Sequence, residues 1–110
     1  MAVVSDSRSI RRGEVYWVTL DPTIKTEIQK TRPALVVSTD DMNAALPRVI
    51  VAPLTSKGQP LGCRPEVDFN GHPARILLDQ IRCVDKRRLA GKMGEIDAGL
   101  WHAVLMQMLE

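Results

Sequence analysis

The fold class that the sequence predicts is a mainly β protein, a small barrel of short strands with short helices and a C-terminal α-helix. Runs rich in β-branched and aromatic residues recur along the chain, with turn residues between them. A chain of 110 residues can bury one hydrophobic core without disulfides or a metal. Helical spacing of apolar residues is clearest in the last segment. We therefore expect one domain over residues 11–110, preceded by a flexible segment over residues 1–10.

The strands are predicted from β-forming runs and from the turns that bound them. The first run is rich in aromatic and β-branched residues and ends at Asp21-Pro22. The second opens at Pro33, a residue that suits the first position of a strand. Asn70-Gly71 has the chemistry of a hairpin turn between the last two strands. The predicted strands cover residues 13–20, 33–38, 48–54, 65–69 and 74–84.

Two helices are predicted from capping residues and apolar spacing. Thr39 can cap a short helix over residues 42–46. Asp97 is the predicted N-cap of a helix over residues 98–109, which is apolar nearly all round. Because a helix packed on one barrel needs a single apolar stripe, the excess predicts a second partner surface and hence a homodimer. The residues assigned to that dimer interface are Trp101, Leu105 and Met108.

Composition argues against several classes of function. The net charge of +2 is too mild to predict nucleic-acid binding by itself, and the basic run at residues 86–88 is expected to be a solvated face. Cys63 and Cys83 lack the spacing of a metal or redox motif, which favours free thiols in the cytoplasm. Because His72 and His102 are isolated, no metal or cofactor is expected. No apolar run approaches the ~20 residues of a membrane span, and no signal peptide is expected.

The candidate functional residues lie where predicted strands end. Four charged residues fall in or beside the connection between the first two strands, where a rigid scaffold usually carries function. A polar pair, Thr55-Ser56, follows the third strand in the same way. The structural alternative for such a pair is a local turn hydrogen bond. The charged residues are Lys25, Glu27, Lys30 and Arg32.

Four separated motifs, in this order, resemble one protein family. They read RGEVYWVTLDPT at residues 12–23, TRPALVVS at 31–38, VAPLTS at 51–56 and LDQIR at 78–82. Together they look like the MazF/PemK (Kid) toxins of bacterial type II toxin–antitoxin modules, over residues 11–109. The resemblance implies an SH3-like barrel of the MazF/PemK type and a homodimer. It also implies a sequence-specific, metal-independent endoribonuclease that a MazE-like antitoxin neutralises through a flexible acidic segment.

RNA supplies its own nucleophile, so such an enzyme needs few catalytic groups. It must align the 2′-OH, remove its proton, stabilise the phosphorane charge and protonate the leaving 5′ oxygen, which gives 2′,3′-cyclic phosphate and 5′-OH ends. Arginine suits the charge term because its planar fork donates two hydrogen bonds to phosphate. We expect Arg32 and Thr55 to bind the phosphate. Glu27, which matches an acidic position of the MazF branch, is the predicted base or a residue that orients Arg32.

Other residues are expected to contact single-stranded RNA. Asp79 matches an acidic position of the Kid branch, but the residue two before it is Leu77 rather than arginine, so the acid–base assignment of that branch does not transfer whole. Asp79 and Gln80 are therefore expected to bind bases or brace the loop. The predicted RNA-binding set is Ser56, Lys25, Lys30, Asp79 and Gln80.

Two other functions stay open at the level of sequence. A catalytically inert SH3-like module that binds protein or nucleic acid would account for the fold and the charge. It would not account for the order in which Glu27, Arg32 and Thr55 occur. A toxin that inhibits DNA gyrase without cleaving nucleic acid, as CcdB proteins do, is the nearer rival.

Overall fold

The computed structural model describes residues 9–20, 31–57 and 60–110. In this part of the chain, short strands alternate with short helices and 3-10 turns, and the mainly β prediction is confirmed. The strands are β1 (Glu14–Thr19), β2 (Thr31–Val36), β3 (Arg48–Thr55), β4 (Glu66–Phe69), β5 (His72–Ile76), β6 (Arg82–Asp85) and β7 (Leu89–Glu95). The α-helices are α1 (Asp40–Ala45) and α2 (His102–Met108), and the 3-10 turns are Leu78–Gln80, Lys86–Arg88 and Ala98–Leu100.

One curled sheet contains all these strands, and β3 is its centre. The order is β4-β5-β3-β2-β1-β7, and β6 also pairs with β3. The first half of β3 pairs with β6, where Val49 lies opposite Val84, and its end pairs with β5, where Leu54 lies opposite Ile76. The other edge of β3 pairs with β2. The last residue of β3, Thr55, therefore pairs with Arg75 of β5.

The core consists of two clusters that follow the alternation of side chains along β1, β2 and β3. Leu35 and Ala52 belong to the first cluster, which the C-terminal segment completes with Trp101 and Leu105. Ala34 and Val51 belong to the second cluster. The second cluster also contains Ile10, which is 5% exposed. The predicted flexible segment over residues 1–10 therefore extends too far, because Ile10 is packed; Met1 to Arg8 lie outside the described residues.

The hairpin between β4 and β5 confirms the predicted turn. Asn70 and Gly71 have φ angles of 53° and 84°, the left-handed values that a two-residue type I′ turn requires at both positions. Phe69 lies opposite His72 across this turn. The predicted strand over 74–84 is wrong in the middle, because the Leu78–Gln80 turn divides it into β5 and β6. Strand β7 has no counterpart in the prediction, since its two glycines weaken the β-forming pattern.

Thr39 marks the start of α1 as predicted, whereas Asp97 does not mark the start of α2. Thr39 Oγ1 accepts a hydrogen bond from the Met42 amide at 3.3 Å, which caps α1. Asp97 also caps through its side chain, but it caps the Ala98–Leu100 turn. The predicted helix over 98–109 is thus two elements, a 3-10 turn and the shorter α2, which meet at Trp101.

The motif that opens β1 has a structural role. Gly13 has φ +94°, and a Cβ there would lie 3.3 Å from the Ile96 carbonyl oxygen, so glycine suits this position. Its amide donates to the Val36 carbonyl at 2.8 Å. These contacts fix the start of β1 against the neighbouring elements.

The next residue of that motif, Glu14, is a buried carboxylate that joins β1 to β7. It accepts hydrogen bonds from the Arg11 amide and the Tyr16 hydroxyl, both at 2.8 Å, and pairs with Lys92 at 3.0 Å. Burial alone would raise the pKa of Glu14. The hydrogen bonds from Arg11, Lys92 and Tyr16 outweigh it, and the pKa lies below its ordinary value.

Candidate functional site

The register of the sheet aligns three polar residues on adjacent strands. The pairing of β2 with β3 runs from Val36 opposite Val51 to Ala34 opposite Pro53, and this register, continued by two residues, places Arg32 level with Thr55. On the other side, Thr55 lies directly opposite Arg75 of β5. Directly opposed residues share a face of the sheet, with Cβ atoms ~5 Å apart. We call Arg32, Thr55 and Arg75 the cross-strand row.

The Thr55 hydroxyl at the centre of the row is oriented by its own backbone. Its Oγ1 accepts a hydrogen bond from the Lys57 amide at 3.1 Å. This is the turn bond expected on structural grounds, and it does not compete with a binding role. A hydroxyl that accepts through a lone pair still has its proton to donate. Thr55 can therefore donate to an anion placed between the two arginines.

The arginines of the cross-strand row are half-buried. Arg32 of β2 lies opposite the buried Val18 of β1, so its aliphatic part lies at the margin of the second core cluster. Among the described residues, the Arg32 guanidinium has neither an ion pair nor a side-chain hydrogen bond. Arg75 has an ion pair with Glu66, at 3.8 Å between Nη2 and Oε1. A hydroxyl between two guanidinium groups is suited to binding phosphate.

The second part of the site is a bidentate ion pair beside the row. Arg64 donates to Asp79 through Nε at 3.0 Å and Nη2 at 2.9 Å. The hydrogen bond from Arg64 is the main cause that lowers the pKa of Asp79. The Leu77 amide donates to the Pro53 carbonyl at 2.8 Å, which fixes the turn carrying Asp79 against β3. The pair thus anchors the segment around Arg64 next to the end of β3.

Comparison with known proteins finds a matching family over nearly the whole chain. The family model of the PemK-like, MazF-like toxins of type II toxin–antitoxin systems matches residues 11–110. The chain belongs to this family. It is 36% identical over 94 residues to the endoribonuclease EndoA of Bacillus subtilis (strain 168), an alignment that covers 80% of this chain and 81% of EndoA.

Solved structures from Deinococcus radiodurans have the same fold as this MazF/PemK toxin. A MazF crystal structure has a TM-score of 0.77 at 24% identity, and covers 94% of this chain and 98% of that one. A MazE–MazF crystal structure has a TM-score of 0.74 at 26% identity, with coverage of 93% and 97%. The resemblance inferred from the four motifs is confirmed.

The predicted site residues of the toxin divide into four groups. Arg32 and Thr55 lie level with each other in the cross-strand row when the β2–β3 register is continued by two residues. Ser56 and Gln80 are exposed near the end of β3 and on the turn that packs there. Asp79 is engaged by Arg64, which favours the bracing role over base recognition. Lys25, Glu27 and Lys30 lie outside the described residues.

Two arginines that anchor the end of β1 escape the sequence prediction. Arg82 donates to the Leu20 carbonyl at 2.8 Å, and Arg88 donates to the Thr19 carbonyl at 3.2 Å. Arg88 and Lys86 belong to the basic run that is predicted to be a solvated face. That prediction is wrong for both, because Lys86 is buried and Arg88 is half-buried. Arg82 lies in the LDQIR motif, so the motif is a sequence signal that could have pointed to this arginine.

The C-terminal segment has a surface different from the predicted one. Trp101 and Leu105 are 0% and 4% exposed and belong to the first core cluster of their own chain, so they are not available to a second copy. Met108 is exposed. The apolar excess on this segment therefore consists of Leu100, Met106, Met108 and Leu109.

The described residues contain no group of three His, Cys, Asp or Glu side chains placed to hold a metal ion. Within residues 9–20, 31–57 and 60–110, no helix is long and apolar enough to cross a membrane.

Proposed function

We propose that this toxin is an endoribonuclease that cleaves single-stranded RNA at a short specific sequence, using the RNA 2′-OH as nucleophile and no metal. The observation that carries the proposal is the sheet register: Thr55 lies directly opposite Arg75, and the β2–β3 register, continued by two residues, places Arg32 level with Thr55 on the other side. Family membership and the similarity to an endoribonuclease support the reaction class. The inert-module and gyrase-inhibitor alternatives gain no support from the described residues.

In the proposed reaction, the scissile phosphate lies against Arg32 and Thr55. The 2′ oxygen attacks phosphorus while its proton passes to a base, and the bond to the 5′ oxygen breaks as that oxygen takes a proton. The products are a 2′,3′-cyclic phosphate and a 5′-OH. The guanidinium of Arg32 offsets the negative charge of the phosphorane, and the Thr55 hydroxyl donates to a phosphate oxygen and fixes the in-line geometry.

Glu27 remains the proposed base, or the group that orients Arg32. Asp79 is a weaker candidate, because a carboxylate held by a bidentate arginine with a lowered pKa is a poor proton acceptor. We assign Lys25, Lys30, Ser56 and Gln80 to RNA contacts. A cytoplasmic location is part of the proposal, in keeping with the free thiols of Cys63 and Cys83.

The proposed partners are a second copy of the chain and a MazE-like antitoxin. The exposed apolar side chains of the C-terminal segment are the proposed contribution to the dimer. The antitoxin would bind as a flexible acidic segment whose carboxylates take the place of phosphates along the cross-strand row. Antitoxin and RNA should therefore compete for the toxin.

The direct test is incubation of purified toxin with end-labelled RNA in EDTA, followed by analysis of the fragment ends. We expect cleavage at a short sequence, with 2′,3′-cyclic phosphate and 5′-OH ends. Intact RNA together with inhibited DNA supercoiling would instead support the gyrase inhibitor. Cleavage that EDTA abolishes and Mg²⁺ restores would contradict the proposed chemistry.

A further inference from the structure

Arg75 is the one member of the cross-strand row that the proposed cleavage does not use. It lies directly opposite Thr55 on one side and Glu66 on the other, so a hydroxyl, a guanidinium and a carboxylate follow one another across the sheet. The Arg75 side chain is 23% exposed, whereas that of Glu66 is 58% exposed. The Arg75 side chain is therefore more covered than its carboxylate partner, which stays largely in water.

The ion pair with Glu66 holds Arg75 only weakly. Its N–O distance of 3.8 Å is too long for a hydrogen bond. Glu66 is largely exposed, so water competes with Arg75 for its charge and weakens the pair. By contrast, the Arg64–Asp79 pair is bidentate at 2.9 and 3.0 Å. Of these two arginines, Arg75 is the one whose hydrogen-bond donors remain available to a ligand.

The positions of the two row arginines favour an anionic ligand that spans the row. With the β2–β3 register continued by two residues, Arg32 and Arg75 flank Thr55 on either side, each one strand spacing, ~4.8 Å, from it along the sheet. Both arginines carry a positive charge on the same face, so a ligand with more than one negative charge can contact both. A polyanion with successive phosphates is better matched to the row than a single phosphate held by Arg32 alone.

We propose that Arg75 binds the RNA phosphate next to the scissile one, and that Glu66 limits how strongly it does so. This inference rests on the proposed endoribonuclease function. Arg75 acts in substrate binding and register, while Arg32 and Thr55 act on the phosphate that reacts. Loss of Arg75 should therefore raise KM, with a smaller effect on kcat than loss of Arg32.

The first test measures binding of an RNA oligonucleotide with one 2′-deoxyribose at the cleavage site, across a series of salt concentrations. Arg75→Ala should weaken binding about tenfold or more, as loss of a charged hydrogen bond does. It should also reduce, by about 0.7, the magnitude of the slope of log binding constant against log salt concentration, which is the value for one phosphate contact on a single strand. Arg75→Lys should keep the slope and lose part of the affinity. Arg87→Ala is the matched control, since Arg87 is exposed and pairs with Asp85; it should change neither quantity.

The second test identifies the phosphate and the role of Glu66. In this test, single phosphates of the RNA are replaced, one at a time, by uncharged methylphosphonates. Replacing the phosphate next to the cleavage site should weaken binding to wild-type toxin. The same replacement should not weaken binding to Arg75→Ala. Glu66→Gln should tighten binding, because it removes the competing carboxylate. Thermal unfolding of each variant confirms that it is folded.

The outcomes separate this inference from the function on which it rests. Wild-type toxin that neither binds nor cleaves RNA would overturn both. Wild-type toxin that binds and cleaves, while folded Arg75→Ala and Arg75→Lys keep full affinity and an unchanged salt slope, would overturn the role of Arg75 alone.

Discussion

Arg64 donates two parallel hydrogen bonds to Asp79, and this pair joins the segment before β4 to the turn after β5. The turn is itself fixed to β3 through the Leu77 amide. The acidic residue of the LDQIR motif thus serves as an anchor for the segment around Arg64. Bidentate pairs fix direction as well as distance, so the anchor orients that segment relative to the cross-strand row.

The first prediction concerns this anchor. Asp79→Asn should weaken the pair with Arg64, so that the segment around Arg64 is held less firmly. The variant should therefore lose more kcat/KM on the preferred RNA sequence than on a poorly matched one. Arg64→Ala should act in the same way. Because the two side chains act as one unit, the double variant should lose no more than either single one. Additive losses would mean that Asp79 contacts RNA independently of Arg64.

The second prediction concerns the buried carboxylate of Glu14. Its pKa is lower in the folded chain than in the unfolded chain, so its contribution to stability is present above the unfolded value of about 4.3 and is lost as the pH falls through the folded value. Glu14→Gln should cost about 1–3 kcal/mol at pH 7, since it weakens three buried or partly buried hydrogen bonds.

Urea unfolding between pH 7 and pH 3 measures this effect. The free energy of unfolding should fall more steeply with acid for wild-type protein than for Glu14→Gln, so that the two curves converge at low pH. Parallel curves would show that Glu14 does not titrate with folding.

The third prediction concerns the proposed phosphate-binding pair. Arg32→Ala should reduce cleavage by ~10²-fold or more, as loss of one preorganised donor to a developing charge does. Thr55→Ala should have a similar effect, and Thr55→Ser, which keeps the hydroxyl, should retain most activity. Single-turnover cleavage under saturating enzyme separates these effects from RNA binding. Near-normal rates in a folded Arg32→Ala or Thr55→Ala variant would remove that residue from the mechanism.

The fourth prediction separates the core from the surface of the C-terminal segment. Leu105→Glu should unfold the chain or make it insoluble, because it buries a charge in the first core cluster. Met108→Glu should remain folded, because Met108 is exposed. If this surface contributes to a homodimer, Met108→Glu should sediment as a monomer at micromolar concentration. A folded Met108→Glu variant that sediments like wild type would place the dimer contact elsewhere.

Local signals made part of this molecule predictable. Asn70-Gly71 specifies its turn because both residues accept positive φ, and Thr39 specifies a helix start because its hydroxyl can cap. Arg32 lies at the start of one strong β-forming run and Thr55 at the end of another. Both runs belong to recognisable motifs, which is why these two residues stand out.

Non-local pairing accounts for what the sequence does not reveal. Arg75 becomes a candidate only once β5 is known to lie beside β3, a pairing that no local pattern specifies. Strand β7 forms by pairing with β1 rather than through its own β propensity, which its glycines lower, so the sequence pattern does not predict it. The burial of Trp101 depends on how the 3-10 turn at Ala98–Leu100 directs the chain back over the sheet, which apolar spacing alone cannot indicate.

The most direct test of the central claim is cleavage, in EDTA, of two RNA oligonucleotides that differ by one oxygen atom. One is all-ribose, and the other has a single 2′-deoxyribose on the 5′ side of the scissile phosphate. Attack by the RNA 2′-OH predicts that both bind wild-type toxin with similar affinity, and that only the all-ribose strand is cut, with a 2′,3′-cyclic phosphate end. Cleavage of the deoxy-substituted strand at the same bond would contradict the account, because the nucleophile would then have to be water or a protein side chain.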